Sequence, residues 1–192
     1  MQNTVVIAGA GHAAGQTIVS LRQGGYEGRI VLVGEEPYLP YQRPPLSKKF
    51  LAGELDVSRL LVRQEKFYAE HGVDVLLNTR VASVTPGSRT AGLSSGEQVG
   101  YDKLVFATGS RVRTVDLPGS RLPGVHYLRT IEDVDRIRDH FRPGASLVVI
   151  GAGYIGLAVA AVAVTQGLKV TVLELADQVM PRVEAPALSE IM

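Results

Sequence analysis

Thr4 to Ala14 reads TVVIAGAGHAA, and the fold of the chain turns on how that stretch is read. Val5 to Ala8 is a short apolar run suited to a buried parallel strand. It empties into Gly9, Ala10, Gly11, His12, Ala13 and Ala14, the G-x-G-x-x-G/A pattern of a dinucleotide-binding turn. Gly9 would make the tight turn, Gly11 would let backbone approach a pyrophosphate, and Ala14 would leave room for the next helix to pack on the strand. The free N–H groups and positive dipole end of that helix then favour phosphate. Alone, such a cluster of small residues is a weak signal.

A second copy strengthens it. Leu147 to Gly151 repeats the strand, and Gly151, Ala152, Gly153, Tyr154, Ile155, Gly156 repeat the fingerprint with all three glycines. Each copy is followed by another apolar strand with an acid at its end: Ile30 to Val33 leads to Glu35 and Glu36, and Val170 to Leu173 leads to Glu174. Glu35 and Glu174 lie 26 and 23 residues beyond their first glycines, near the roughly 20-residue spacing that sets a carboxylate on a ribose diol. Two dinucleotide sites are the expectation.

The composition narrows the class. The chain has 192 residues, 45% of them hydrophobic, with mean hydropathy +0.12 and net charge +1, which describes a globular protein without a broad basic face for nucleic acid. Apolar runs are broken well short of a membrane span, and the N-terminus enters a strand almost at once, so a cytoplasmic protein with no membrane partner is expected. There is no cysteine, which removes disulfides, thiolate metal sites and any redox-active dithiol in these residues. His12, His71, His126 and His140 have no metal-ligand spacing, and no metal site is expected.

Between the fingerprints the chain reads as follows. Ala13 to Gln23 has helical spacing and stops at Gly24 and Gly25. Pro44 and Pro45 begin a rigid corner that presents Lys48. Gln64 to His71 reads as a helix. Val73 to Leu77, Val81 to Thr85, Thr90 to Ser94 and Gln98 to Tyr101 read together as a small antiparallel crossover. Lys103 to Ala107 returns to the parallel sheet and ends in Thr108 and Gly109. Ile131 to about Phe141 is an amphipathic helix, and Tyr154 to Gln166 is apolar enough to suggest burial on more than one side. The expected fold is α/β, two Rossmann-like three-layer FAD/NAD(P)-binding units with a small antiparallel β crossover, the second unit incomplete. The expected divisions are residues 1–110, a linker and helix over 111–145, and the start of a second domain over 146–192.

Several motifs together resemble one family. RPPLSK at Arg43 to Lys48, LVFATG at Leu104 to Gly109, YLRT at Tyr127 to Thr130 and GAGYIGL at Gly151 to Leu157 are similar to FAD-dependent NADH:ferredoxin reductases of the putidaredoxin and palustrisredoxin reductase type. These serve bacterial cytochrome P450 and ring-hydroxylating dioxygenase systems, and the likeness runs from Val5 to Val183. It implies FAD on the first unit, NADH on the second, hydride transfer between them, and single electrons passed to a 2Fe–2S ferredoxin. Carried over by motif, Gly9, Gly11, Ala13 and Ala14 would take the FAD pyrophosphate and Glu35 its ribose. Pro45 and Lys48 would lie by the isoalloxazine ring, with Lys48 the candidate catalytic residue, and Arg43, Val81, Thr108, Gly109 and Arg129 would line the rest. Gly151, Gly153 and Gly156 would take the NADH pyrophosphate and Glu174 its ribose, where a 2′-phosphate would meet like charge.

Two departures from the family pattern stand out. The helix after the second fingerprint has Ala158 where the family usually has a glutamate facing the lysine equivalent to Lys48, so a desolvated, loosely held Lys48 is expected. Family members also continue well past Met192. The chain is therefore expected to be the N-terminal part of a longer protein, with exposed sheet edges and a tendency to self-associate or to need its C-terminal half. Two alternatives belong to other classes: a non-catalytic FAD/NAD-binding module resembling apoptosis-inducing-factor-like flavoproteins, and a split chain that acts only in assembly with a partner.

Overall fold

The computed structural model describes residues 3–180; the end of the resemblance at Val183 and the last residues of the expected second domain lie outside them. The described residues form two compact units, one made of residues 3–43 and 58–111, the other of residues 44–57 and 112–180. Residues 44–57 thus group with the second unit.

In the first unit, strands β1 (Thr4–Ala8), β2 (Arg29–Val33), β3 (Val73–Leu76) and β7 (Lys103–Phe106) form a parallel sheet in the order β3-β2-β1-β7. Helix α1 (His12–Gln23) makes the crossover from β1 to β2. Because side chains alternate across a strand, the two central strands β1 and β2 bury both faces, as apolar runs in a parallel sheet should. Val5, Ile7, Ile30, Leu32 and Val73 pack with Ala14 and Ile18 of α1 and with Tyr68 of helix α3 (Glu65–Glu70). Val6, Val31 and Val33 pack on the other side against Ala91 and Leu93. Those two residues belong to β5 (Thr90–Leu93), the middle strand of an antiparallel sheet with β4 (Val81–Thr85) and β6 (Gln98–Gly100). Three layers result: helices, parallel sheet, antiparallel sheet.

One strand departs from the sequence reading. Val73–Leu76 is not part of the antiparallel crossover; it pairs in parallel with β2, Ile30 opposite Val73 and Val33 opposite Leu76. The left-handed residue Asn78 (φ 53°) breaks the chain between it and β4. Short helix α2 (Val57–Leu60) leads into an isolated bridge between Tyr41 and Leu61.

The second unit holds α4 (Ile131–Arg138), β8 (Ser146–Ile150), α5 (Tyr154–Thr165) and β9 (Lys169–Leu173), with β8 and β9 paired in parallel to close a βαβ unit. A 3-10 turn at Pro44–Ser47 packs against α4 and α5. α4 begins with a capping box: the Asp133 amide donates to the Thr130 hydroxyl, and the Thr130 amide donates to the Asp133 carboxylate. Helix α5 is covered on one side only, by way of Val159, Ala160 and Ala163, while Tyr154, Ile155 and Val164 are exposed. The expected burial on more than one side is not met among the described residues. The same holds of the sheet, where Val148 and Ile150 are 57% and 74% exposed. Among the described residues, no helix is long and apolar enough to cross a membrane.

Candidate functional site: two dinucleotide cradles

The carboxyl ends of the first unit's parallel strands gather the predicted residues. Gly9 leaves β1 at φ +107°, a conformation that L side chains rarely adopt, and a Cβ there would run into the Ala107 carbonyl oxygen. That contact fixes the first turn against the segment that leads to Thr108 and Gly109, the latter at φ +67°. The Gly9 amide donates to Val33 O (2.8 Å), which ties the turn to the end of β2. Gly11 caps α1 with no side-chain cap bond, and a Cβ there would meet nothing within 4 Å. Among the described residues the helix terminus is therefore open, and the first-turn amides that a helix leaves without intrahelical partners are the arrangement an anionic pyrophosphate needs. Ala13 is exposed on the first turn, and Ala14 is fully buried.

Glu35 follows Gly34 at the end of β2, is exposed, and pairs with Arg111 (3.0 Å). Its neighbour Glu36 turns inward. One of its carboxylate oxygens accepts from Arg43 (2.6 Å) and the other from the Tyr41 hydroxyl (2.5 Å), and the Arg43 guanidinium lies 4.9 Å from the Tyr41 ring centroid. Arg43 is thus held in place before any ligand arrives. Val81 starts β4 opposite Leu93, and two residues earlier the Thr79 amide donates to Gly34 O (2.8 Å), keeping β4 beside the end of β2. Gly9, Gly11, Ala13, Ala14, Glu35, Arg43, Val81, Thr108 and Gly109 all belong to this unit.

The second unit repeats the geometry. Gly151 takes φ +102°, and its amide donates to Leu173 O (2.7 Å), the counterpart of the bond from Gly9 to Val33. Gly153 caps α5, and among the described residues neither Gly151 nor Gly153 would meet an atom within 4 Å if given a Cβ. Gly156 differs, since a Cβ there would strike the Gly151 carbonyl oxygen, so it is the residue that lets α5 lie close on the turn. Glu174 closes the loop: Oε2 accepts from the Ala152 amide (2.7 Å), and Oε1 accepts from the Leu175 (2.8 Å) and Ala176 (3.0 Å) amides. Its carboxylate therefore sits at the edge of the fingerprint.

Pro45, Lys48 and Arg129 lie in this unit as well. Lys48 is exposed in the chain without cofactor. Arg129 is half-buried and its amide donates to Asp133 (3.0 Å). Sequence reasoning named Arg43 but missed Arg111 and the ties of Arg43 to Glu36 and Tyr41; a second acid directly after Glu35 was a further trace.

A Cβ-free turn, a helix N-terminus that is uncapped and open among the described residues, and a carboxylate at the adjoining strand, present twice, suit the pyrophosphate and ribose of a dinucleotide. The fold and its two sites define a protein of the dinucleotide-binding α/β class with one cradle in each unit. Residues 3–192 match the family described as pyridine nucleotide-disulphide oxidoreductase, and the chain belongs to that family. It is 43% identical over 188 residues to a rubredoxin-NAD(+) reductase of Pseudomonas putida, covering 98% of this chain and 49% of that protein. Among solved structures it is similar to a ferredoxin reductase from Rhodopseudomonas palustris (46% identity, TM-score 0.93, 98% of this chain and 46% of the other). It is likewise similar to the reductase in a covalent putidaredoxin reductase–putidaredoxin complex (38% identity, TM-score 0.91, 98% and 46%). The chain spans about half the length of the curated relatives it matches.

Proposed function

We propose that this chain supplies the FAD cradle and part of the NADH cradle of a cytoplasmic reductase that passes electrons from NADH to an iron–sulfur ferredoxin, of 2Fe–2S type, in a bacterial oxygenase system. The observation that carries it is the doubled cradle in a chain with no cysteine. Without a dithiol in these residues to receive electrons, a bound flavin would pass them outward. FAD, when bound, supplies the chemistry of accepting a hydride and releasing single electrons.

The residues of the chain bind and orient. The amides at the start of α1 and α5 hold phosphates, and the turns at Gly9 and Gly151 keep side chains out of the way. Glu35 and Glu174 offer carboxylates to ribose hydroxyls, Glu35 by exchanging its Arg111 pair. The carboxylate of Glu174 favours NADH, because a 2′-phosphate would be repelled. The network of Glu36 and Tyr41 holds the Arg43 guanidinium toward a bound anion, and Lys48 sets a cation on an exposed corner.

The full-length protein is expected to bind FAD, to bleach when NADH is added without air, and to recover its colour with a ferredoxin or another one-electron acceptor. Failure to bleach would remove the reading. A non-catalytic nucleotide-binding role draws on one feature, the methyl group of Ala158 where a carboxylate is usual. Ala158→Glu should therefore change the rate of NADH-driven flavin reduction, and an unchanged rate would show that position 158 has no part in it.

A further inference from the structure

Residues 44–57 leave the first unit after Arg43 and return at Ser58, spending the excursion within the second unit. The excursion is firmly seated. Leu46, Phe50 and Leu51 are each at most 2% exposed, and Ser47 is 6% exposed, whereas Lys48 and Lys49 point outward. Its backbone is wound on itself: the Lys48 amide donates to Pro45 O (3.0 Å), the Ala52 amide to Lys48 O (2.9 Å) and the Glu54 amide to Lys49 O (2.9 Å).

Two side chains from the unit's helices grip this winding. Gln166, the C-cap of α5, donates to Ala52 O (3.3 Å), so hydrogen bonds run from the end of α5 through Ala52 to Lys48 O. Arg138, the last residue of α4, lays its guanidinium 4.4 Å from the Phe50 ring centroid and donates to Leu51 O (3.4 Å), with Asp135 (3.4 Å) holding its far side. The N-terminus of α5 is the second cradle and its C-terminus is the grip on the strap, so one twelve-residue helix carries both.

We propose that Arg138 and Gln166 are positioning residues that clamp the 44–57 strap and thereby fix the place of Lys48 in the electron-transfer reaction. The inference rests on the reading of Lys48 as a group beside the flavin. Each acts through the strap, Gln166 on the Ala52 carbonyl and Arg138 on the Leu51 carbonyl and the Phe50 ring.

The test uses the full-length, FAD-loaded protein with Arg138→Ala, Gln166→Ala and Arg138→Lys, each checked for a native circular dichroism spectrum. Limited trypsinolysis reads the strap directly, because Lys48 and Lys49 are its exposed cleavage sites. Cleavage there should accelerate about tenfold in either alanine variant, because proteolysis follows the open population. Cleavage at Lys66 and Arg89 of the first unit should not change. Arg138→Lys, which keeps a cation over Phe50, should recover part of the protection. NADH-driven flavin reduction should show kcat lowered about five- to tenfold with the KM for NADH unchanged, as for a displaced reacting group.

The clamp is overturned if cleavage at Lys48 and Lys49 is unchanged in both alanine variants, or if all sites accelerate alike. Positioning is overturned if the strap opens while flavin reduction keeps its rate. Should the unsubstituted protein bind no FAD, the functional reading fails, while cleavage at the strap still supports or overturns the clamp.

Discussion

At the scale of single residues, the structure separates glycines that must be glycine from those that only leave space. Gly9 is the clearest of the first kind, with both a left-handed φ and the Ala107 carbonyl where a Cβ would go. Gly9→Ala should destabilise the first unit by about 3 kcal/mol or more, from backbone strain together with the clash. A lowered urea midpoint and weaker FAD binding would report it. Tyr68 shows the opposite economy. Its ring is 2% exposed in the core, yet among the described residues its hydroxyl has no hydrogen-bond partner. Burial pushes its pKa up to about 12, and the nearby Arg63 only partly offsets that. Between pH 10 and 12 the unfolded tyrosine gives up its proton while the folded one keeps it, so the folded state binds more protons and stability falls as pH rises. Tyr68→Phe should gain about 1 kcal/mol at neutral pH by removing a buried unpaired hydroxyl, and should flatten that alkaline loss in urea titrations across the window. Nothing in the sequence pointed to Tyr68, because an orphaned hydroxyl is a property of its surroundings.

At the scale of elements, what was legible follows periodicity and punctuation. β1, α1, β2, β8, α5 and β9 lie within a residue or two of their expected limits, because the strands and α5 are apolar runs, α1 has helical apolar spacing, and glycine or charge punctuates them. β3 was misplaced because four residues, VDVL, cannot say which neighbour they will pair with. Pairing is a tertiary choice, settled here when β2 offers its free edge. The strap's packing was not legible for a similar reason: its prolines announce a rigid corner but not the helices it lies against. At the fingerprints the turn geometry was legible, because a motif fixes the backbone. A side chain that finds a distant partner, as Glu35 finds Arg111, leaves no such local mark. α4 offers an element-scale test. It has only eight residues and depends on its start, where Thr130 and Asp133 satisfy each other's amides. Thr130→Ala should cost about 1 kcal/mol, and α4 amides should exchange faster while those of β1 and β2 do not.

At the scale of the whole molecule, the two units differ in how completely they cover their sheets. β1 and β2 are buried over four of their five residues each, with a strand on both sides and a layer on both faces. β8 and β9 form a two-stranded parallel sheet in which no residue reaches full burial. An isolated pair of strands is marginal in water, and local stability follows buried apolar contact. The 192-residue chain on its own should therefore open in two stages. Hydrogen–deuterium exchange read by mass spectrometry should find β8 and β9 amides exchanging at least about tenfold faster than those of β1 and β2, a difference of about 1.4 kcal/mol in local opening. Saturating FAD, bound on the first unit, should widen that gap, whereas NADH at the second cradle should narrow it, because each ligand stabilises only the form that holds its site. Equal protection of both sheets without ligand would mean that the exposed faces of Val148, Ile150 and Leu173 are covered in solution. The chain would then be expected to sediment as an oligomer, since another copy of the chain is the apolar surface available to cover them.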